Sequence, residues 1–420
     1  MEPFKYIIII YSFFALISLI RYFFYLLVSP FYTIQTRRIE NSTKFLSKKE
    51  IEENIKISVI VPAWNEEVGI ITSINSLIKN SYKNLEIIIV NDGSTDNTNE
   101  KISSLLKKLR KSKVLRTKKI VYINKKKNEG KGAAINSGIK VSSGDIIVTM
   151  DADTRFEKNA ISKVAQYFTN SSIQAAVGNI KIQNSNNLVG LLQRIEYIIG
   201  FYFKRTHSLL NSEYIIGGAF AAYRKDLFLR YGYFNQQSKT EDMEFSTRLR
   251  SKGVKTIYIE DAIAYTEGPS TFKGLLKQRL RWRKGALDVY IRYSNLFFST
   301  KTQHNKFLCW FILPITIISL IELLFFPILY PILFFYIIQI GNFSYSLVWL
   351  LFYCSTIYIL YFFRTDKNNW KDALFIPFFL PFVYVLIISE IYALYNSIIL
   401  MIKNKDIIWQ SWQRKGIENV

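Results

Sequence analysis

Asp151 and Asp153 are two carboxylates on one short loop, just past a run of four β-branched residues, Ile146, Ile147, Val148 and Thr149. Such a run reads as a buried parallel strand. In open α/β sheets, ligands bind in the crevice outside the carboxyl ends of the strands, so the pair faces a candidate site. Paired oxygens there suit a hard divalent ion, Mg²⁺ or Mn²⁺, that also bridges phosphates. Alone, an Asp-x-Asp in a turn is more often solvated punctuation. Two further strand ends carry acids: PAWNEE (62–67) and NDGSTD (91–96). Three acidic loops on one sheet edge fit a nucleotide–metal complex, with Asp92 on the base or ribose and Asp153 on the metal. Turn and N-cap chemistry accounts as well for Asp92, Gly93 and Asp96, and Asp96 is read as a cap. The stretch NEGKGAA (128–134) sets Lys131 at a helix start, where backbone N–H groups and a cation can meet phosphate. Neither a Gly-Lys-Ser/Thr phosphate loop nor a G-x-G-x-x-G is present, so a dehydrogenase loses its main support.

A second set of polar residues lies further along: GGAFAAYRKD (217–226), TED (240–242) and EGPSTFKGLLKQRLRWRKG (267–285). Gln278, Arg281 and Trp282 could form a sugar platform, the indole face stacking and the polar heads hydrogen-bonding. A basic surface helix is the plainer alternative. The aromatic stretch that begins at Gln193–Tyr197 could lie on a membrane surface.

The elements that must position these groups are read from periodicity. Apolar runs at 57–62, 85–90, 119–123 and 146–149 alternate with helical spacing at 66–80, 95–110 and 130–142. That is a βαβα series, hence a doubly wound, mostly parallel α/β sheet. Membrane segments flank it. Residues 7–28 are long enough to cross a bilayer, with Pro30 behind them and no small-residue cleavage site, so they read as an anchor. Arg21 interrupts this run, either snorkelling to the inner surface or lining a polar path. The basic stretch 35–56 places the α/β segment behind it in the cytoplasm, by the positive-inside rule.

After Arg292 the chain turns apolar again, with crossings expected within 307–340, at 346–363 and at 374–402. The 34 residues of the first run are long for one crossing and short for two at ~20 residues each. A hairpin near Pro327 would give four crossings and a cytoplasmic tail; three is the alternative. Glu322 and Glu390 lie inside these runs, where they either pair with Arg21 or sit near helix ends, or else line a path for a polymer.

Half of the 420 residues are hydrophobic and 16% aromatic, too apolar for a purely soluble enzyme. The net charge of +23 admits nucleic acid, anionic lipid or an anionic substrate. Acidic loops over a strand edge argue against nucleic acid, whose binding rests on phosphate contacts. A transporter is the remaining non-enzyme class. Two cysteines, Cys309 and Cys354, both in apolar runs, support neither a disulfide framework nor a Cys/His metal site.

The ordered set PAWNEE, NDGSTD, DAD, GGAF, TED and QRLRW resembles the processive family 2 glycosyltransferases, over roughly residues 55–300. These include the bacterial poly-N-acetylglucosamine, hyaluronan and cellulose synthases, and the first type is the nearest look. The resemblance implies a GT-A-like fold flanked by transmembrane helices. It implies a nucleotide-sugar site in which Pro62, Ala63, Glu66 and Asp92 hold the uridine of a UDP-sugar. Lys131, Asp151, Gln278 and Arg281 would meet the ribose–diphosphate, Asp153 the Mg²⁺ or Mn²⁺, and Glu241 and Trp282 the acceptor. Asp242 would be the catalytic base.

One departure is visible: Glu244 stands where a second Asp is expected two residues after the base. The implied organisation is a transmembrane helix (1–30), a basic linker (31–56), a cytoplasmic transferase domain (57–266), interfacial helices (267–304), membrane helices (305–402) and a basic tail (403–420). The expected reaction is inverting transfer, with N-acetylglucosamine as the expected sugar, to a polysaccharide with export of the chain. A single-sugar transfer to a lipid, as in ceramide glucosyltransferase, is the alternative. One membrane segment before the catalytic unit leaves room for a small membrane subunit at the plasma membrane.

Overall fold

A computed structural model describes residues 2–43, 47–110, 118–184, 187–340 and 376–407, together with Gly416 and a few positions between 350 and 358. The first helix, α1 (Glu2–Val28), leads through a 3-10 turn at Ser29–Phe31 into α2 (Tyr32–Thr43) and α3 (Lys48–Asn54). Then β1 (Ile57–Ala63), α4 (Ile70–Ile78), β2 (Leu85–Asp92), α5 (Thr98–Arg110), β3 (Lys119–Lys125), α6 (Lys131–Val141) and β4 (Ile146–Thr149) succeed one another in the alternation predicted. Strands β1 and β2 are buried along their whole length, as their Ile and Val content demands.

The second half is less regular. It runs β5 (Thr154–Phe156), α7 (Ala160–Phe168), β6 (Ala175–Ile182), α8 (Leu188–Leu209), β7 (Ala221–Arg224), α9 (Asp226–Tyr231), α10 (Glu241–Ser251) and β8 (Thr256–Thr266). All eight strands form one sheet in the order β3-β2-β1-β4-β7-β6-β8-β5. The β3-β2-β1-β4 side is parallel, whereas β7 runs antiparallel to both β4 and β6, and β5 antiparallel to β8. With β6 and β8 parallel, the sheet is mixed and parallel-dominant. One edge therefore gathers the ends of β1, β2, β4 and β8 and the starts of β5 and β7. Loops there converge on one crevice.

Helix α8, which holds the aromatic stretch that could lie on a membrane surface, packs on β6 and β8. Gln193 is fully buried, its amide donating to Val189 O (3.0 Å) and Pro269 O (2.8 Å), so two carbonyls satisfy it inside the protein.

The remaining helices are α11 (Phe272–Arg292), α12 (Leu313–Ile340) and α13 (Ile376–Ile402). Among the described residues three helical stretches are long and apolar enough to cross a membrane: Ser12–Ile39, Leu308–Leu329 and Tyr384–Ile402. Helix α12 continues through Pro327 and Pro331, so the hairpin expected near Pro327 does not form. Prolines are tolerated within apolar spanning helices, where neighbouring groups satisfy the freed carbonyls. The crossing expected at 346–363 falls mostly outside the described residues. Arg21 donates to Ser319 Oγ of α12 at 3.0 Å, while Ser18 reaches Glu322 at 3.4 Å, so the polar groups of α1 and α12 meet each other.

Candidate active site

A cavity of about 630 Å³ opens at the convergent sheet edge, between that edge and α11. Every candidate site residue of the sequence lines it: Pro62, Ala63, Glu66 and Asp92 at one end, Lys131, Asp151 and Asp153 in the middle, and Glu241, Asp242, Gln278, Arg281 and Trp282 at the other.

The first end is built by loops that stitch to one another. Asn65, in left-handed conformation (φ 54°), accepts from Thr95 N at 2.8 Å. Asp96 accepts from Thr98 N at 3.0 Å and from Glu67 N at 3.1 Å, so it caps α5 and also ties the two acidic loops. Glu66 N donates to Thr98 Oγ1 at 2.9 Å. Asp92 is buried, with Oδ1 on Lys125 Nζ (2.6 Å) and Oδ2 accepting from Gly130 N (2.8 Å) and Glu129 N (3.2 Å). It therefore holds the glycine-rich loop in place as well as lining the cavity.

Lys131 opens α6 and lies between two acids, 2.7 Å from Asp151 Oδ1 and 3.2 Å from Glu241 Oε1. Burial alone would depress its ammonium, but Asp151, Glu241 and Asp242 outweigh burial and hold it charged, above the ordinary lysine range. Burial, with the Asp242 charge beside it, pushes the Glu241 carboxyl up, against Lys131 and Arg281. Sequence reasoning put Lys131 near phosphate; it also bridges the loop of Asp151 to α10.

Asp242 stands in the first turn of α10, where free backbone N–H groups favour a negative charge. Its Oδ2 accepts from Gly218 N at 2.7 Å and its Oδ1 from Met243 N at 2.8 Å. These bonds fix the carboxylate's direction. A Cβ on Gly218 would come within 3.0 Å of Lys131 Nζ and 3.4 Å of Asp242 Oδ2, so the bare backbone makes room for both. The departure at Glu244 is absorbed by structure: this buried acid accepts from Tyr293 OH (2.6 Å) and Arg248 Nη2 (2.9 Å), tying α10 to the end of α11.

Helix α11 closes the cavity. Thr271 caps it, accepting from Gly274 N at 3.1 Å. A Cβ on Gly285 would fall 2.4 Å from Thr240 Oγ1, so this glycine lets the N-cap residue of α10 seat directly on α11. Asp242 and Trp282 are thereby brought to one cavity. Gln278 Oε1 and Arg281 Nε are buried and have no hydrogen-bond partner among the described residues. Polar atoms left so in a cavity wall are free to meet a polar ligand.

Several lining residues were not foreseen. Tyr197, Thr266, Glu267, Arg279, Arg283, Tyr290 and Glu390 all border the space. The sequence assigns none of them to the site, although Glu267, Arg279 and Arg283 belong to the polar stretch 267–285 and Glu390 stands out as a charge inside an apolar run. Glu390 pairs with Arg279 (3.3 Å) and Arg283 of α11, and not with Arg21. Near the rim, Gly416 N donates to Glu267 Oε2 at 3.0 Å.

Among the described residues no group of three His, Cys, Asp or Glu side chains could hold a metal ion by itself. Two carboxylates, Asp151 and Asp153, do fit a divalent ion whose other ligands are phosphate oxygens and water.

The chain matches two family models, glycosyl transferase family 2 over residues 58–232 and glycosyl transferase family group 2 over residues 146–389. It is 32% identical over 279 residues to the poly-beta-1,6-N-acetyl-D-glucosamine synthase of Staphylococcus aureus, covering 66% of this chain and 65% of that one. The enzyme of the same name from Staphylococcus epidermidis is 31% identical over 274 residues, 64% of this chain and 62% of the relative. The match thus spans just under two thirds of each relative's length. In fold, the chain is similar to a mannosyltransferase from Pyrobaculum calidifontis in complex with GDP-Man and Mn²⁺ (TM-score 0.58, 15% identity, 90% of this chain and 100% of that one). Sheet, convergent acidic edge and α11 together are thus of the GT-A kind, and the chain belongs to glycosyl transferase family group 2.

Proposed function

We propose that the protein is a membrane-embedded, inverting glycosyltransferase that moves a sugar from a UDP-sugar to the end of a growing polysaccharide. The staphylococcal relatives favour N-acetylglucosamine as the sugar. The observation that carries the reading is Asp242, held by the Gly218 N–H beside Lys131 and facing the same cavity as Trp282.

An alcohol is a poor nucleophile, so a carboxylate must take its proton as the new bond forms. Asp242 accepts that proton, the acceptor oxygen bonds to the anomeric carbon, and the sugar–phosphate C–O bond breaks with its electrons leaving on UDP. One carboxylate suffices for this single displacement with inversion. Lys131 and Arg281 lie where negative charge grows on the departing diphosphate. Asp151 and Asp153 would hold Mg²⁺ or Mn²⁺, and such an ion, when bound, supplies further charge neutralisation to the diphosphate. Pro62, Ala63, Glu66 and Asp92 frame the pocket for the nucleoside, Gln278 joins the diphosphate contacts, and Glu241 and Trp282 frame the acceptor end. On this reading the protein sits in the plasma membrane with the sheet domain on the cytoplasmic side and a small membrane subunit completing an export path, a reading supported by three helices long and apolar enough to cross a bilayer.

The test is to offer radiolabelled UDP-sugars one at a time to the protein in lipid nanodiscs and size the products. A long polymer from UDP-N-acetylglucosamine is expected. One sugar on an organic-soluble product would replace the polymer with a lipid acceptor, and no turnover of any UDP-sugar would overturn the reading.

A further inference from the structure

Where α8, α11 and α13 meet, four charged side chains form a closed set. Arg279 is buried, and its two terminal nitrogens go to different helices: Nη2 to Glu196 on α8, and Nη1 to Glu390 on α13 at 3.3 Å. Arg283, one turn further along α11, takes the other oxygen of Glu390. Two cations and two anions balance. Glu390 belongs to one of the stretches able to cross a membrane, yet it borders the catalytic cavity.

The Arg279 guanidinium also lies 4.8 Å from the centroid of the Trp282 ring. A guanidinium over an indole is held by the ring's negative face, and it holds the ring in return. A cation tied by carboxylates on two other helices has little freedom to move, so the indole it faces has little either. The distance from Glu390 to the acceptor platform is thus two contacts.

We propose that Glu390 is a positioning residue for the acceptor: through Arg279 it orients Trp282, and so couples the membrane helix α13 to the site of transfer. This rests on the reading of Trp282 as the platform for the acceptor sugar. Glu196 shares the load on Arg279, while Glu390 pairs directly with both Arg279 and Arg283. Losing the Glu390 charge leaves two arginines with one acid, and they repel each other beside the platform.

The experiment compares the full chain with Glu390→Gln and with the double variant Glu390→Gln/Arg283→Gln, in nanodiscs, using UDP-N-acetylglucosamine. Misplacing the platform should lower kcat about tenfold and shorten the product. The donor KM should stay within about twofold, because the nucleotide end is untouched. The double variant removes one charge of each sign and should recover most of the rate. A second measurement needs no turnover: acrylamide quenching of Trp282, taken as the difference from Trp282→Phe, should rise about twofold in Glu390→Gln as the ring loosens.

Unchanged rate, product length and quenching in Glu390→Gln would overturn the proposal. So would a loss of donor affinity in step with the rate, which marks a general fault in folding. Raised quenching in a protein that transfers no sugar at all would uphold the clamp and remove the transferase reading instead.

Discussion

The two ends of the cavity hold their charges by different means. At the nucleotide end, acids at strand ends are fixed by backbone N–H groups and nearby loops, as with Asp92 on Gly130 N and Asp96 on Thr98 N. At the acceptor end, arginines of α11 are fixed by carboxylates brought from α8 and α13. The first kind of anchoring joins residues no more than 38 positions apart. The second depends on helices more than 80 residues apart, so it is assembled only when the whole chain has packed. The lesson is that the end proposed for the donor can be laid down by the sheet, while the end proposed for the acceptor needs the helices that flank it.

Asp242 stands at the second end, and its substitution is the sharpest way to separate the two. Asp242→Asn should lower transfer by about 10²–10⁴-fold, the range for a general base, while UDP affinity measured by calorimetry stays within a factor of a few. Loss of UDP binding to the same extent would show that the two ends are not separable. Next in size, Asp92→Ala strips Lys125 of one of its two acids, takes the acceptor from Glu129 N and leaves Gly130 N with Asn128 Oδ1 alone. A cost of about 3 kcal/mol in chemical denaturation is expected, with weakened donor binding, since one partner of a buried pair is removed. A loss confined to the acceptor would contradict the division drawn above.

Gly285→Ala tests the seam between the ends. Its methyl would meet Thr240 at 2.4 Å, so α10 and α11 must part, at about 1–3 kcal/mol for overpacking. Transfer rate should fall more than UDP affinity. The smallest effect is expected far from the cavity, in the sheet. Glu86 is fully buried on β2; burial alone would raise its carboxyl, but Lys119, Ser58 and Ser143 hold it down to about 2. Its folded pKa lies below its unfolded one, so its contribution to stability is present above about pH 4.5 and lost as pH falls toward 2. Glu86→Gln should flatten that part of the acid denaturation curve.

The same contrast explains what could be read from the residues. Runs such as LEIIIV and ISVIVP announce buried strands by their branched side chains, and the acids behind them mark the edge where ligands bind. Boundaries moved where side chains took over backbone bonds: α5 begins at Thr98 because Asp96 caps it. Strand β7, with Ala221 and Ala222, carries little branched content, and β5, Thr154–Phe156, is too short at three residues to be recognised locally. They are strands because β4, β6 and β8 pair with them. Pro327 read as a breaker, yet an apolar helix carries it. Tyr197 reached the cavity through helix packing that no local pattern encodes, whereas Arg279 stands inside the QRLRW motif and Glu390 stood out for its charge alone.

The bond from Gly416 N to Glu267 has a practical meaning for anyone handling this protein. Glu267 lines the cavity, so a tag fused at the carboxy-terminal end follows closely on a backbone position tied to the cavity wall. Purification tags are better attached ahead of the first helix, and an assay run on a carboxy-terminally tagged preparation should be repeated after the tag has been cleaved.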